Sequence, residues 1–248
     1  MFKPAGDMRY VQFMHRLHSK MVFDWYMEIG CRGGRVFEPV RSKTIAVDPY
    51  FSIERNVVGA KPALFIMQQT SDTFFESGFL QQARIKLSFS FLDGMHLFEF
   101  LLRDFMNTEK ASSKGGVIAL HDCCPFSYEM TTRDLDAMPS RAWTGDVWKL
   151  LPILRKFRPD LEITVLGCRP TGLVLISNLS PHSAVLFKNY DEIIAEWTDV
   201  TLEDYGAARF YDAIDYVDCR KFIEQDYPIF KDIRLPPESV IEPVYVTP

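Results

Sequence analysis

Short apolar runs alternate along this chain with segments of helical period. Residues 25–29, 45–47, 63–67, 87–92 and 117–120 are nearly unbroken stretches of aliphatic and aromatic side chains. Runs of that length, covered on both faces, are what a parallel sheet buried between helices requires. Between them, residues 7–20 carry Met8, Val11, Phe13, Met14 and Leu17 at the spacing of one helical face. A helix over 73–83 follows the capping-type triplet Thr70-Ser71-Asp72, and residues 97–106 predict another. Residues 126–144 are irregular, with Pro139 and Gly145 as breaks, and would suit a cover over a site. A helix over 145–157 contains Pro152, which predicts a kink or a shifted start.

Two further runs, 161–166 and 172–176, are joined by the five residues 167–171, too few for a crossover helix, so they must pair antiparallel. The pattern therefore predicts an α/β fold: a seven-stranded, mostly parallel sheet with an antiparallel final hairpin and helices on both faces. After residue 181 the composition turns to Asp, Glu and Tyr and predicts two helices over 189–227, then a proline-rich end (Pro228, Pro236, Pro237, Pro243, Pro248). This divides the chain into a main domain over 1–180 and a C-terminal helical arm over 181–248, with an oligomer contact through the arm as one use for it.

Polar chemistry collects where the apolar runs stop. Glu28 and Gly30 end the first run, Asp48 the second, Ser71 and Asp72 follow the third, Asp93 the fourth, and His121 and Asp122 the fifth. In an open parallel sheet ligands bind at the carboxyl ends of the strands. After the first run come Gly30, Gly33 and Gly34, a turn that bares main chain, and residues 35–40 predict a helix whose N-terminus would favour an anionic group. Asp48 is placed to grip a ribose diol. A dinucleotide fingerprint starting at Gly30 would need glycine at 32 and 35. The chain has Arg32 and Arg35 there, which counts against a nicotinamide-linked oxidoreductase. His15 and His18, three residues apart on one helix, suggest either a metal pair or, for His18, the border of a pocket.

The chain has 248 residues, 47% hydrophobic and 25% charged, with a net charge of −5 and a pI of about 5.6. No basic stripe suggests nucleic acid, and no apolar run is long enough to span a membrane. Without an apolar signal core at the start, a cytoplasmic address is the expectation. Five cysteines at unpaired spacings read as reduced, buried thiols.

Three segments, 26–34, 91–96 and 115–123, carry a resemblance. Together with Asp48 and the hairpin, which extends the match over residues 10–178, they make the chain resemble the class I S-adenosylmethionine (SAM) methyltransferases, in particular the group called methyltransferase family 24. The resemblance implies a Rossmann-like sheet with a reversed last strand and SAM as cofactor. It implies Glu28, Gly30 and Gly33 beside the methionine moiety, Asp48 on the ribose hydroxyls, and Ser71 and Asp72 by the adenine. Metal-dependent O-methyltransferases place a metal-binding acid at the position of Asp93 and a general base at that of His96, with further ligands where this chain has Asp122 and Cys123. An oxygen-seeking cation such as Mg²⁺ would be held by Asp93 and Asp122, while Cys123 stands in place of an expected Asp or Asn. His121 is a second candidate base or ligand. The implied activity is methylation of a hydroxyl on a small-molecule acceptor. Aromatic residues near the irregular segment (Phe126, Tyr128, Trp143, Trp148) are candidates for lining its pocket. A module that binds SAM without catalysis is the remaining reading.

Overall fold

The structure, a computed structural model, describes residues 1–240; Pro243 and Pro248 of the proline-rich end lie outside the described residues. The elements run α1 (Tyr10–Lys20), β1 (Trp25–Ile29), β2 (Lys43–Val47), β3 (Leu64–Met67), α2 (Ser71–Glu76), α3 (Phe79–Gln82), β4 (Leu87–Leu92), α4 (Phe98–Ala111), β5 (Ser112–His121), α5 (Leu150–Phe157), β6 (Glu162–Leu166) and β7 (Leu173–Ser177). The arm adds α6 (Val185–Lys188), α7 (Tyr190–Trp197), α8 (Leu202–Tyr205), α9 (Ala207–Asp212), β8 (Tyr216–Val217) and α10 (Cys219–Glu224). One sheet holds all the strands in the order β3-β2-β1-β4-β5-β7-β6-β8. β1 through β5 are parallel, and β7 runs antiparallel to both β5 and β6. The reversed strand expected from the short hairpin link is therefore present.

Alternate residues of each strand feed two separate cores. Met27, Ile29, Ile118, Leu120, Val174 and Ile176 pack on one face against α4 and α5; Tyr26, Phe89, Phe91, Ala119, Leu173 and Leu175 pack on the other against α1. β4 and residues 116–121 of β5 are buried on both sides, which accounts for the largely apolar runs there. β3 departs from that expectation. It is the edge strand, with only β2 as partner, and Phe65 and Ile66 are exposed.

Other segments also differ from their sequence reading. Residues 35–40 form turns, not a helix: a single Glu38-to-Gly34 bond of helical type is followed by Pro39, which has no N–H to continue the ladder. The site thus has no helix N-terminus after β1. The helix expected over 73–83 starts earlier and splits, because Gly78 at φ +65° ends one turn and begins the next. For Pro152 the shifted start is what occurs: α5 begins at Leu150 instead of 145, which puts the proline in the first turn, where a missing N–H is tolerated. The arm is more than two helices. Residues from Leu186 to Ile214 cover one face of the sheet, β8 extends its edge beside β6, and residues from Cys219 to Ile233 cover the other face. Among the described residues no helix is long and apolar enough to cross a membrane.

Candidate active site

The carboxyl ends of β1, β2 and β4 are laced together by backbone. Gly30 N–H donates to Val47 O at 3.0 Å, Asp93 N–H to Ile29 O at 2.9 Å, and Asp48 N–H to Met67 O at 3.2 Å. Gly30, with φ +87°, has a steric reason to be glycine: a Cβ there would lie 1.9 Å from the Asp93 carbonyl oxygen. At Gly33 a Cβ would meet only the Ser52 carbonyl, at 3.7 Å, so the bare main chain open to a ligand is at Gly33. Asp48 holds the loop over this point, accepting from Arg32 N–H at 2.8 Å through one oxygen and from Tyr50 N–H at 2.7 Å through the other.

Beneath the loop lies Glu28, fully buried, accepting from the Tyr26 hydroxyl at 2.6 Å. Burial, and to a lesser degree the negative field of Asp93 and Asp48, pushes its carboxyl up to about 8. Lys61, largely covered and donating to Glu38 O at 3.1 Å, faces the same interior; burial lowers its ammonium to about 8. Glu28, Asp48 and Asp93 lie close enough to feel one another's negative field, and that concentration of acids favours a cation.

Next to it, across β4 and β5, sits a cluster of two acids and two histidines. Register brings it together: Leu92 lies opposite Leu120, so Asp93 and His121 emerge side by side. Asp122 takes φ +59°, an unusual conformation for a residue with a side chain, and this turns its carboxylate back towards Asp93. His121 Nδ1 is 3.2 Å from Asp93 and 3.3 Å from Asp122; His96 Nε2 is 3.4 Å from both. His96 Nδ1 donates to the Trp143 carbonyl at 3.0 Å, since a carbonyl can only accept. Burial works against charge on His96, but the bond to Asp93 and the field of Asp122 outweigh it and raise the ring above the ordinary histidine value. Thr171 donates to Asp122 at 2.6 Å and lies 3.5 Å from His121 Nε2. Burial works against charge on His121, but Asp122 and Asp93 outweigh it and hold the imidazolium up at about 10. The same ion pairing outweighs burial at Asp93 and keeps its carboxyl far below the ordinary range. Ligand atoms of Asp93, His96 and Asp122 all lie within 4.8 Å of one another, a spacing that suits one metal ion.

The sequence-derived candidates thus fall into three groups. Glu28, Gly30, Gly33, Asp48 and Asp93 gather at the carboxyl ends of β1, β2 and β4, and Asp93, His96, His121 and Asp122 form the cluster at the ends of β4 and β5. Ser71 and Asp72 lie beyond β3 and are bound to α4: Asp72 forms a two-bond pair with Arg103 at 2.7 and 2.8 Å, and Ser71 bonds to Asp104. Cys123, which stands where an Asp or Asn ligand was expected, is buried in the core with its thiol donating to His121 O. His18 does not border the cleft. It is fully buried among Phe23, Tyr26 and Phe89 with neither ring nitrogen hydrogen-bonded, and burial drops it to about 3, a neutral ring. His15 bonds instead to the Arg35 carbonyl, so the two do not form a metal pair. All five cysteines are buried and free.

The irregular segment 126–144 meets the cluster at its end, where the Trp143 ring lies 5.1 Å from that of His96. Gly145 packs so closely that a Cβ would lie 1.7 Å from the His96 carbonyl oxygen, and Trp143 anchors the segment by donating to Thr132 O. Trp148 is core, and Tyr128 stacks on Phe2. Two residues with no distinctive sequence context join the site. The Tyr10 ring lies 3.8 Å from that of His121, and Thr171 reaches Asp122 from the hairpin loop.

No family model matches the chain, and no curated protein matches it. Similar solved structures include the O-methyltransferase TomG of Streptomyces achromogenes, involved in tomaymycin synthesis, in complex with SAM (14% identity, 67% of this chain and 78% of that one, TM-score 0.47). Others are an O-methyltransferase from Bacillus cereus in complex with SAH, the demethylated product of SAM (16%, 70% and 83%, TM-score 0.45), and the MycE methyltransferase of mycinamycin biosynthesis with Mg, SAH and mycinamycin VI (12%, 70% and 49%, TM-score 0.44).

Proposed function

We propose that the chain is a SAM-dependent methyltransferase acting on a hydroxyl of a small molecule. The observation that carries this is the meeting of two polar clusters at neighbouring strand ends. One is an acid-lined cradle formed by Gly33, Glu28 and Asp48; the other is a His/Asp cluster on the next strand ends, with Asp93 belonging to both. SAM fits the first. Its sulfonium and amino charges suit a site lined with the acids Glu28, Asp48 and Asp93, its diol finds the Asp48 carboxylate, and its methionine portion passes the open main chain at Gly33. Adenine lies towards β3, bordered by the main chain at Ser71 and Asp72, since the Asp72 carboxylate is engaged by Arg103.

A divalent cation fits the second. Two carboxylates are a suitable donor pair for a hard cation, and a dication supplies positive charge beside Asp93 and Asp122. Asp93 and Asp122 would hold it, with His96 beside them. When bound it supplies polarisation of the acceptor oxygen.

The chain's own part is alignment and proton removal. His96 is the base: its Nδ1 is fixed by the Trp143 carbonyl, which aims Nε2 at the acids, and it is the more accessible of the two rings (21% against 6% exposed). The acceptor hydroxyl gives its proton to neutral His96 Nε2. Its oxygen forms a bond to the methyl carbon as the carbon–sulfur bond breaks, and the sulfonium leaves as a neutral thioether. His121, pinned between Tyr10 and Thr171, orients both carboxylates.

Isothermal titration with SAM and SAH tests the reading. Both are expected to bind, and absence of binding by either defeats it.

A further inference from the structure

We propose that the acceptor carries an anionic group, a carboxylate or a phosphate, held by Arg9, Arg35 and Arg169. The proposal rests on the methyltransferase reading and specifies its substrate class. Adjoining the His/Asp cluster is a cavity of about 490 Å³, a volume typical of small-molecule sites, whose walls include these three arginines with Tyr10, Phe126 and Pro170. Tyr10 is the partition: one side lines the cavity and its ring lies against His121.

Three elements each give one residue to the cluster and a neighbour to the cavity. The start of α1 supplies Tyr10 and Arg9. The hairpin loop supplies Thr171 to Asp122 and Arg169 to the cavity. The chain after β5 supplies Asp122 and then Phe126. Arg35 comes from the turns beyond Gly34.

Charge makes the arrangement informative. The chain carries a net charge of −5, yet here three guanidinium groups share one cavity. Among the described residues none of the three pairs with a carboxylate; Arg169 donates only to the Asp7 carbonyl, at 2.6 Å. Guanidinium groups with free donors recognise carboxylate and phosphate through paired hydrogen bonds. Exposed Phe126 and half-buried Tyr10 provide flat apolar walls for the body of such a molecule. Its hydroxyl would then lie past Tyr10, towards His96.

The test is isothermal titration of the full chain, alone and with saturating SAH. The probes are matched pairs: catechol against 3,4-dihydroxybenzoate, glucose against glucose 6-phosphate, and inorganic phosphate by itself. At least one anionic probe is expected to bind about tenfold or more tightly than its neutral mate, a difference of about 1.4 kcal/mol. Which pair discriminates tells carboxylate from phosphate. The triple variant Arg9→Gln, Arg35→Gln, Arg169→Gln, all at exposed positions, should erase the difference and leave SAH affinity within about twofold. Equal binding of neutral and anionic mates, no binding by any anionic probe, or discrimination that survives in the triple variant overturns the proposal. So does a large loss of SAH affinity in that variant, which would assign the arginines to the cofactor's carboxylate. If SAM and SAH fail to bind while the anionic probes still discriminate on the chain alone, the methyltransferase reading falls and the anion pocket stands.

Discussion

Two clusters of buried opposite charge sit at opposite ends of β5, and they are built differently. At the N-terminal end Arg158 donates to Glu109 at 2.6 and 2.9 Å and to Asp160 at 2.8 Å, and Glu109 also accepts from Ser180 N–H. Every guanidinium nitrogen is used, and little bonding capacity remains. At the C-terminal end no imidazole–carboxylate contact is shorter than 3.2 Å, although four ionisable groups converge. The first cluster ties α4, the residues before β6 and those after β7 into one floor. The second holds its charges close without saturating them, which leaves donors for an incoming ion or substrate. Saturation is a mark of structural charge, and buried charge with spare valence is a mark of chemistry.

Substitutions can break that contrast. The largest effect is expected at the open cluster. His96→Ala should lower kcat by roughly 10²–10⁴-fold, the usual loss for a general base, and Asp93→Ala by at least as much, with the melting temperature little changed. Steady-state kinetics beside thermal unfolding reads both quantities at once. Turnover retained in both variants would remove the catalytic assignments.

The mirror experiment is Arg158→Met. It leaves Glu109 buried without its partner, and should cost about 3–5 kcal/mol of stability in urea unfolding while SAM affinity in the folded fraction stays put. A cofactor effect with no loss of stability would reverse the roles of the two clusters.

A smaller effect lies between them, on α4. Asp104 is buried, one of its oxygens has no hydrogen-bond partner, and burial raises its carboxyl to about 7. A raised acid binds its proton more tightly folded than unfolded. Its neutral form therefore costs nothing below the ordinary carboxylate pKa, and stability is lost as pH climbs from about 4 to about 7. Asp104→Asn should remove that slope and stabilise the protein by on the order of 1–3 kcal/mol at pH 8, with no gain at pH 4. Unfolding curves at the two pH values check it. The smallest change is expected of Asp48→Asn, which keeps one acceptor for the loop but loses the charge that grips the diol. It should weaken SAM by about tenfold in titration.

The strand ends were the most legible part of the sequence. Asp48, Asp93 and His121/Asp122 each follow an apolar run, and parallel register alone carries them to the same edge. The hairpin of β6 and β7 was readable because five linking residues permit only one topology. Elsewhere local pattern was not enough. Residues 35–40 look helical until Pro39 and the anchoring of Phe37 and Val40 in the core decide otherwise. The exposure of β3 depends on its place at the sheet edge, which a run of apolar residues cannot announce. His18 has the same local context as a pocket histidine and is instead enclosed by aromatics from three other segments. Tyr10 and Thr171 reach the cluster through tertiary packing between segments distant in the chain, and β8 pairs only once the chain after α9 has returned to the sheet edge.

The most direct measurement is a structure of the chain with SAH bound. The account predicts the thioether sulfur in the cleft bounded by Gly30, Asp48 and Asp93, facing His96, with the ribose hydroxyls on the Asp48 carboxylate. SAH lodged away from those strand ends, or with its sulfur turned from the His/Asp cluster, would contradict it.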